Sequence, residues 1–205
     1  LKVAVAGRPV WMAASTHDGE DGLVLAAHAL LRKTHPGALL ILAPRHPERG
    51  DALAGLVRQR GFHHARRSKG EVPDGQDTVW LADTLGEMGL WFALAPAALI
   101  AGSLKPGIGG HNPIEASQAG ACVISGPHVD SFDDLYTAYR RHGAVLEVED
   151  AAGLAAAVEQ VWQAKAPGKA SAERAINEAS GGALETTLSA LHALLHPARP
   201  EGEAA

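Results

Sequence analysis

Ala38-Leu39-Leu40-Ile41-Leu42-Ala43 is an unbroken apolar run with no polar alternate. A strand wet on one face would show a polar residue at every second position. A continuous run of this length belongs to a strand covered on both faces, the kind found in parallel sheets. Upstream, Leu23, Ala26, Ala27, Leu30 and Leu31 recur at helical spacing until His35-Pro36-Gly37 stops them. Before that helix, Val10-Trp11-Met12-Ala13-Ala14 is a short apolar run followed by the turn Ser15-Thr16-His17-Asp18-Gly19. Downstream, Pro44 to Pro47 reads as a turn, with Pro47 well placed to start a helix reaching about Arg60.

The alternation continues to the end of the chain. Strands are expected around His63–Arg67, Thr78–Ala82, Ala97–Ala101, Cys122–Ser125 and Ala144–Val148. Helices are expected from about Glu87 to Leu94 and over Pro113–Ala119, Asp133–Arg141 and Ala151–Gln163. Strands and helices alternating over short loops form parallel βαβ units, so the fold class is α/β, a doubly wound, Rossmann-like parallel sheet. Residues 1–165 form this unit. Residues 166–196 carry two further helices, Ser171–Ala179 and Leu184–Leu195, parted by Gly181-Gly182, and 197–205 is a polar, frayed tail.

Composition excludes several classes of function. With 46% hydrophobic and 20% charged residues in 205, the chain is globular rather than disordered. The single cysteine, Cys122, excludes an intramolecular disulfide and a multi-cysteine zinc site. Eighteen Lys and Arg against 23 Asp and Glu give −5 and an isoelectric point near 6.1, which argues against a nucleic-acid binder. No apolar run is long enough to span a bilayer, and Leu1 to Ala6 is too short for a signal peptide's apolar region. The chain opens at Leu1 without an initiator Met, so it reads as a fragment of something longer.

In an open α/β sheet, ligands bind beyond the carboxyl ends of the strands. The unusual residues fall there: Ser15 to Glu20, Pro44-Arg45-His46-Pro47-Glu48-Arg49, Asp83-Thr84-Leu85-Gly86-Glu87-Met88-Gly89, and Gly102 to Glu115. Gly109 and Gly110 remove side chains where backbone must lie close to a ligand. Asn112 caps the next helix, and Pro113 at its start leaves amides pointing outwards, an anion site by geometry and dipole. That segment reads equally well as a plain glycine-rich turn with a cap. Glu115 suits the hydroxyls of a ribose, or simply a first helical turn. Arg45 offers a planar fork for phosphate or carboxylate, or pairs with Glu48 at the surface. Asp83 and Glu87 flank a turn where either caps the following helix, while Arg66-Arg67 with Lys69 reads as a solvated loop. His17, Asp18 and His28 show no metal-ligand spacing, and Ser15 lacks the surroundings of a nucleophile elbow.

Taken in order, Ala13-Ala14-Ser15-Thr16-His17-Asp18-Gly19-Glu20, Pro44 to Arg49, Asp83 to Gly89 and Gly109-Gly110-His111-Asn112-Pro113-Ile114-Glu115 resemble the C-terminal half of the 3-deoxy-D-manno-octulosonic acid (Kdo) transferases. Gly126-Pro127-His128, Phe132 and the stretch Gly143–Asp150 fit as well, and the likeness runs from about Arg8 to Leu195. It implies the donor-binding half of a GT-B glycosyltransferase, which transfers Kdo from CMP-Kdo to a lipid A precursor in lipopolysaccharide biosynthesis. By the same likeness Pro44, Arg45, Gly86, Glu87, Met88, Asn112, Pro113, Ile114 and Glu115 contact the CMP moiety. No catalytic residue, metal or cofactor is expected in this half. The acceptor, the catalytic base and the contact with the cytoplasmic face of the inner membrane belong to an N-terminal domain, and this half is expected to be soluble and inactive alone. The alternatives are another GT-B nucleotide-sugar transferase or epimerase domain, and a non-catalytic nucleotide-binding domain.

Overall fold

In a computed structural model that describes residues 2–195, seven parallel strands form one sheet in the order β3-β4-β2-β1-β5-β6-β7. The elements are α1 (Lys2–Val5), β1 (Val10–Thr16), α2 (Asp21–Thr34), β2 (Leu39–Pro44), α3 (Gly50–Gln59), β3 (His64–Arg66), β4 (Val79–Leu81), α4 (Met88–Leu94) and β5 (Ala97–Ile100). They continue with α5 (Ile114–Gln118), β6 (Cys122–Ser125), α6 (Asp133–Arg141), β7 (Val145–Glu147), α7 (Ala151–Trp162) and α8 (Lys169–Leu195). The expected tail, 197–205, lies outside the described residues.

The double burial expected for Ala38–Ala43 is present, and strand pleating explains it. On β1 and β2, Val10, Met12, Leu39 and Ile41 face one side, where they pack with Trp80, Trp91, Tyr136 and Tyr139 beneath α4, α6 and α8. Trp11, Ala13, Leu40 and Leu42 face the other and pack with Val24, Leu25, Leu53, Val57, Leu154 and Val158 of α2, α3 and α7. His28 belongs to this second layer. Its ring accepts from Trp11 Nε1 at 3.2 Å, and burial pushes its pKa down to about 3, keeping it neutral.

The chain first builds outward from β1 through β2 to β4 and β3, then returns to lay β5, β6 and β7 on the other side. The winding therefore reverses between β1 and β5, and the crevice outside their carboxyl ends is where such a sheet binds ligands. β1 ends in a distortion. Its register against β2 slips between Ala14 and Thr16, and Ser15 takes a left-handed φ of 58°. A bulge of this kind re-aims the side chains at a strand's end.

One expectation is corrected. Gly181 and Gly182 do not separate two helices, because α8 runs unbroken over 27 residues. Two glycines cost a long helix roughly 1 kcal/mol each, which lowers its stability without breaking it when Ala, Glu and Leu surround them. Gly181 is exposed, and a Cβ there would meet nothing within 4 Å. Gly181→Ala should therefore raise stability by about 0.5–1 kcal/mol in urea unfolding. A loss instead would mean that the glycine serves a bend.

Candidate functional site

The crevice is held together by a buried carboxylate that the sequence did not single out. Glu20 follows the β1 bulge and is fully buried. One of its oxygens accepts from the His17 amide at 3.0 Å and the Gly102 amide at 2.9 Å; the other accepts from the Leu104 amide at 3.0 Å. Three backbone donors satisfy a charge that would otherwise be very costly to bury. They also join the loop after β1 to the loop after β5, the two strands between which the winding reverses. The only signal in the sequence was an acidic residue just before a helix, which any surface helix shows.

The loop after β5 closes on itself where the Gly110 amide donates to the Gly102 carbonyl at 2.9 Å. Gly109 and Gly110 have φ of 87° and 79°. A Cβ on Gly109 would lie 2.3 Å from Ser131 Oγ, and one on Gly110 would lie 3.1 Å from Val129 Cα. The close approach expected of these glycines is thus made by the segment after β6 and leaves no ligand to be invoked. Pro113 takes the N-cap position of α5, and Asn112, one residue earlier, accepts from the Ile114 amide at 2.9 Å through its Oδ1. That bond uses one of the amides expected to face an anion, and α5 has only five residues, so the anion-site argument from this helix alone is weak. Pro113 is buried, whereas Asn112 and Glu115 are exposed. Glu115 Oε1 stands 3.4 Å from the position a Cβ on Gly89 would take, which brings the starts of α5 and α4 together.

At the β4 end, Glu87 occupies the N-cap position of α4, but neither acid's side chain bonds an amide of that helix. Asp83 is buried and accepts from Arg66 Nε at 2.5 Å, from the Ser68 amide at 2.9 Å and from Ser68 Oγ at 2.7 Å. Glu87 takes a forked contact from Arg67, with Nη2 at 2.6 Å and Nε at 3.0 Å, and a bond from Thr84 Oγ1 at 2.5 Å. Arg66 and Arg67 are therefore ion-pair partners, and the solvated-loop reading is overturned. Arg66 ends β3 and Arg67 follows it, as the two acids follow β4, and adjacent parallel strands bring their ends together. Recognising that pairing in the sequence would have revealed both bridges. Gly86 is exposed, and Met88 lies half-buried against the core.

The end of β2 is tied to the β1 loop by the Arg45 amide, which donates to the Thr16 carbonyl at 3.0 Å. Arg49 donates to the same carbonyl at 2.9 Å and pairs with buried Asp21. Glu48 approaches His46 at 3.6 Å rather than Arg45. Among the described residues Arg45 and Lys105 have no acidic partner, and Lys105 lies across Gly19 at the mouth. Beside them His17 Nε2 and His111 Nε2 meet at 2.8 Å, with the His46 ring 6.0 Å from that of His17. The structure thus brings Arg45 near His17 and His111 at the carboxyl ends of the strands, while exposed Glu115 lies where the starts of α4 and α5 meet. Two depressions of about 270 and 560 Å³ lie at the opposite, amino ends of the strands, lined in part by Pro96 and Cys122 and by Val10, Pro96 and Trp162.

The same architecture occurs in the C-terminal CMP-Kdo binding domain of WaaA from Acinetobacter baumannii, which superposes with a TM-score of 0.78 at 29% identity over 84% of this chain and 91% of that one. A 3-deoxy-D-manno-octulosonic acid transferase of Haemophilus influenzae is 39% identical over 167 residues, 82% of this chain and 38% of the relative. The Kdo transferase of Bordetella pertussis is 40% identical over 191 residues, 90% of this chain and 44% of the relative. This chain belongs to the Kdo transferase family. It spans less than half the length of these curated relatives. No family model matches it. Among the described residues, no helix of this Kdo transferase domain is long and apolar enough to cross a membrane.

Two outcomes follow for the groups that hold the crevice. Glu20→Gln turns an amide NH₂ towards backbone donors, so stability should fall by about 2–3 kcal/mol in urea unfolding. A change within ~0.5 kcal/mol would mean that the carboxylate is not buried among donors. The hydrogen bonds from Arg67 and Thr84 lower the Glu87 pKa from 4.5 to about 2. A depressed carboxylate contributes stability above its unfolded value and loses it as pH falls through the folded one. The melting-temperature gap between wild type and Glu87→Gln should therefore be constant above pH 4.5 and close towards pH 2. A gap unchanged across that range would contradict the assignment.

Proposed function

We propose that this domain binds CMP-Kdo in the crevice beyond β1, β2, β4 and β5, as the donor half of a GT-B Kdo transferase. The observation that carries the reading is the match to a CMP-Kdo binding domain over nine-tenths of its length, with the charge-bearing loops gathered at the point where the winding reverses. Arg45 offers a free two-pronged donor to the phosphate or the Kdo carboxylate. Glu115 offers an exposed carboxylate to the ribose hydroxyls. Glu87 is committed to Arg67 and Thr84, so Gly86-Glu87-Met88 would meet the nucleotide through backbone, with Glu87 fixing that turn.

In the full-length transferase, a hydroxyl of the lipid A precursor would attack the anomeric carbon and CMP would leave. The base that takes the hydroxyl proton would come from the other domain, which would also meet the acceptor and the inner-membrane surface. This half would hold the departing phosphate, and positive groups fixed where negative charge develops lower the barrier.

Calorimetry tests the reading. CMP should bind more tightly than UMP or AMP, and EDTA should not change its affinity. Equal affinity for all three nucleotides would remove the cytidine assignment. Arg45→Lys and Glu115→Gln should each weaken CMP by about tenfold or more, since charge-assisted bonds contribute ~1.5–3 kcal/mol. Both residues are exposed, so melting temperatures should barely move. Unchanged CMP affinity in both variants would refute the site.

A further inference from the structure

His17 and His111 come from loops 94 positions apart in sequence, yet their Nε2 atoms meet at 2.8 Å. The rings are within 13° of parallel, with centroids 5.1 Å apart. Nearly parallel rings whose facing nitrogens touch lie edge to edge, so one ring donates an N–H in its own plane to the lone pair of the other. The donating ring keeps a free lone pair on its remaining nitrogen. One added proton there turns the pair into a single cation and leaves the bridge intact. A second would set two N–H groups against each other and break it. The pair can therefore carry one charge and no more.

Every element around the pair contributes to its field. Glu20 and exposed Asp18 come from its own loop; Arg45, His46 and Arg49 come from the segment after β2. Lys105 lies over Gly19, and Tyr136 on α6 donates its hydroxyl to the His111 carbonyl at 3.1 Å. Burial is the largest influence on both imidazoles, and the positive neighbours add to it while Glu20 opposes them, so both pKa values lie below the ordinary value. The crevice thus holds a neutral pair beside Arg45 and Lys105, which have no acidic partner among the described residues. An anion seated there offsets those cations and reverses the balance. Among the described residues no group of three or more His, Cys, Asp and Glu is arranged to hold a metal ion.

We propose that the His17–His111 pair takes up one proton from solvent when the anionic part of a cytidine nucleotide enters the crevice, becoming a cation that recognises the donor's negative charge. The proposal rests on the donor-site reading above. The proton goes to the free ring nitrogen of the pair, and no covalent bond to the nucleotide is made.

Calorimetric titration of CMP in buffers of different ionisation heat counts protons taken up, for wild type, His17→Gln and His111→Gln. The phosphate of CMP titrates near pH ~6 and gives all three proteins the same background. Wild type should take up as much as one proton more per CMP than either variant, and its affinity should fall up to tenfold more per pH unit between pH 7 and 8. Cytidine, which carries no anion, should show no uptake with any of them. The direct reading needs no variant: ring-nitrogen NMR of the wild type should move one histidine from the neutral to the imidazolium signature as CMP is added. Equal proton counts in all three proteins, or imidazole signals that stay neutral at saturating CMP, would overturn the proposal. Failure of CMP to bind the wild type at all would instead overturn the reading of the crevice, and the proposal with it.

Discussion

The carboxylate of Glu20 joins what the winding of the chain leaves apart. β1 and β5 lie side by side, but their following loops belong to halves of the domain built in opposite directions. Hydrogen bonds from His17, Gly102 and Leu104 to one buried side chain fix both loops to each other. The positions of His17, His111 and Lys105 all follow from that joint, because each sits on one of the two loops. Removing the carboxylate would leave three amides without partners in a dry place, which is why the crevice needs an acid there rather than a neutral group.

The sheet supplies rigid strand ends, and the ion pairs decide which charges remain free. Asp83 and Glu87 use the positive charge of Arg66 and Arg67, and Asp21 uses that of Arg49. What is left at these strand ends without an acidic partner among the described residues is Arg45 and Lys105, beside a neutral histidine pair and the exposed carboxylates of Asp18 and Glu115. In a chain of net charge −5, Arg45 and Lys105 are thereby set apart at one end of the sheet from the arginines used in ion pairs.

The sheet was legible because its signal is local. Ala38–Ala43 can hardly be anything but a doubly covered strand, and the order of loops after each strand end carried the family resemblance. What could not be read was the pairing between distant loops. Glu20, the bridges from Arg66 and Arg67, and the contact of His17 with His111 all depend on which strands are neighbours, and a single sequence does not state that order. Gly109 and Gly110 have the left-handed backbone that their type suggests, but Ser131 and Val129, not a ligand, fill the space beside them. Gly181-Gly182 misled in the opposite sense, because an Ala-rich helix of this length tolerates a local weakness.

The most direct test of this account is a crystal structure of the domain with CMP bound. The phosphate should lie between Arg45 and the His17–His111 pair, and the ribose hydroxyls against Glu115. Density for CMP at the other end of the sheet, beside Pro96 and Trp162, would contradict it.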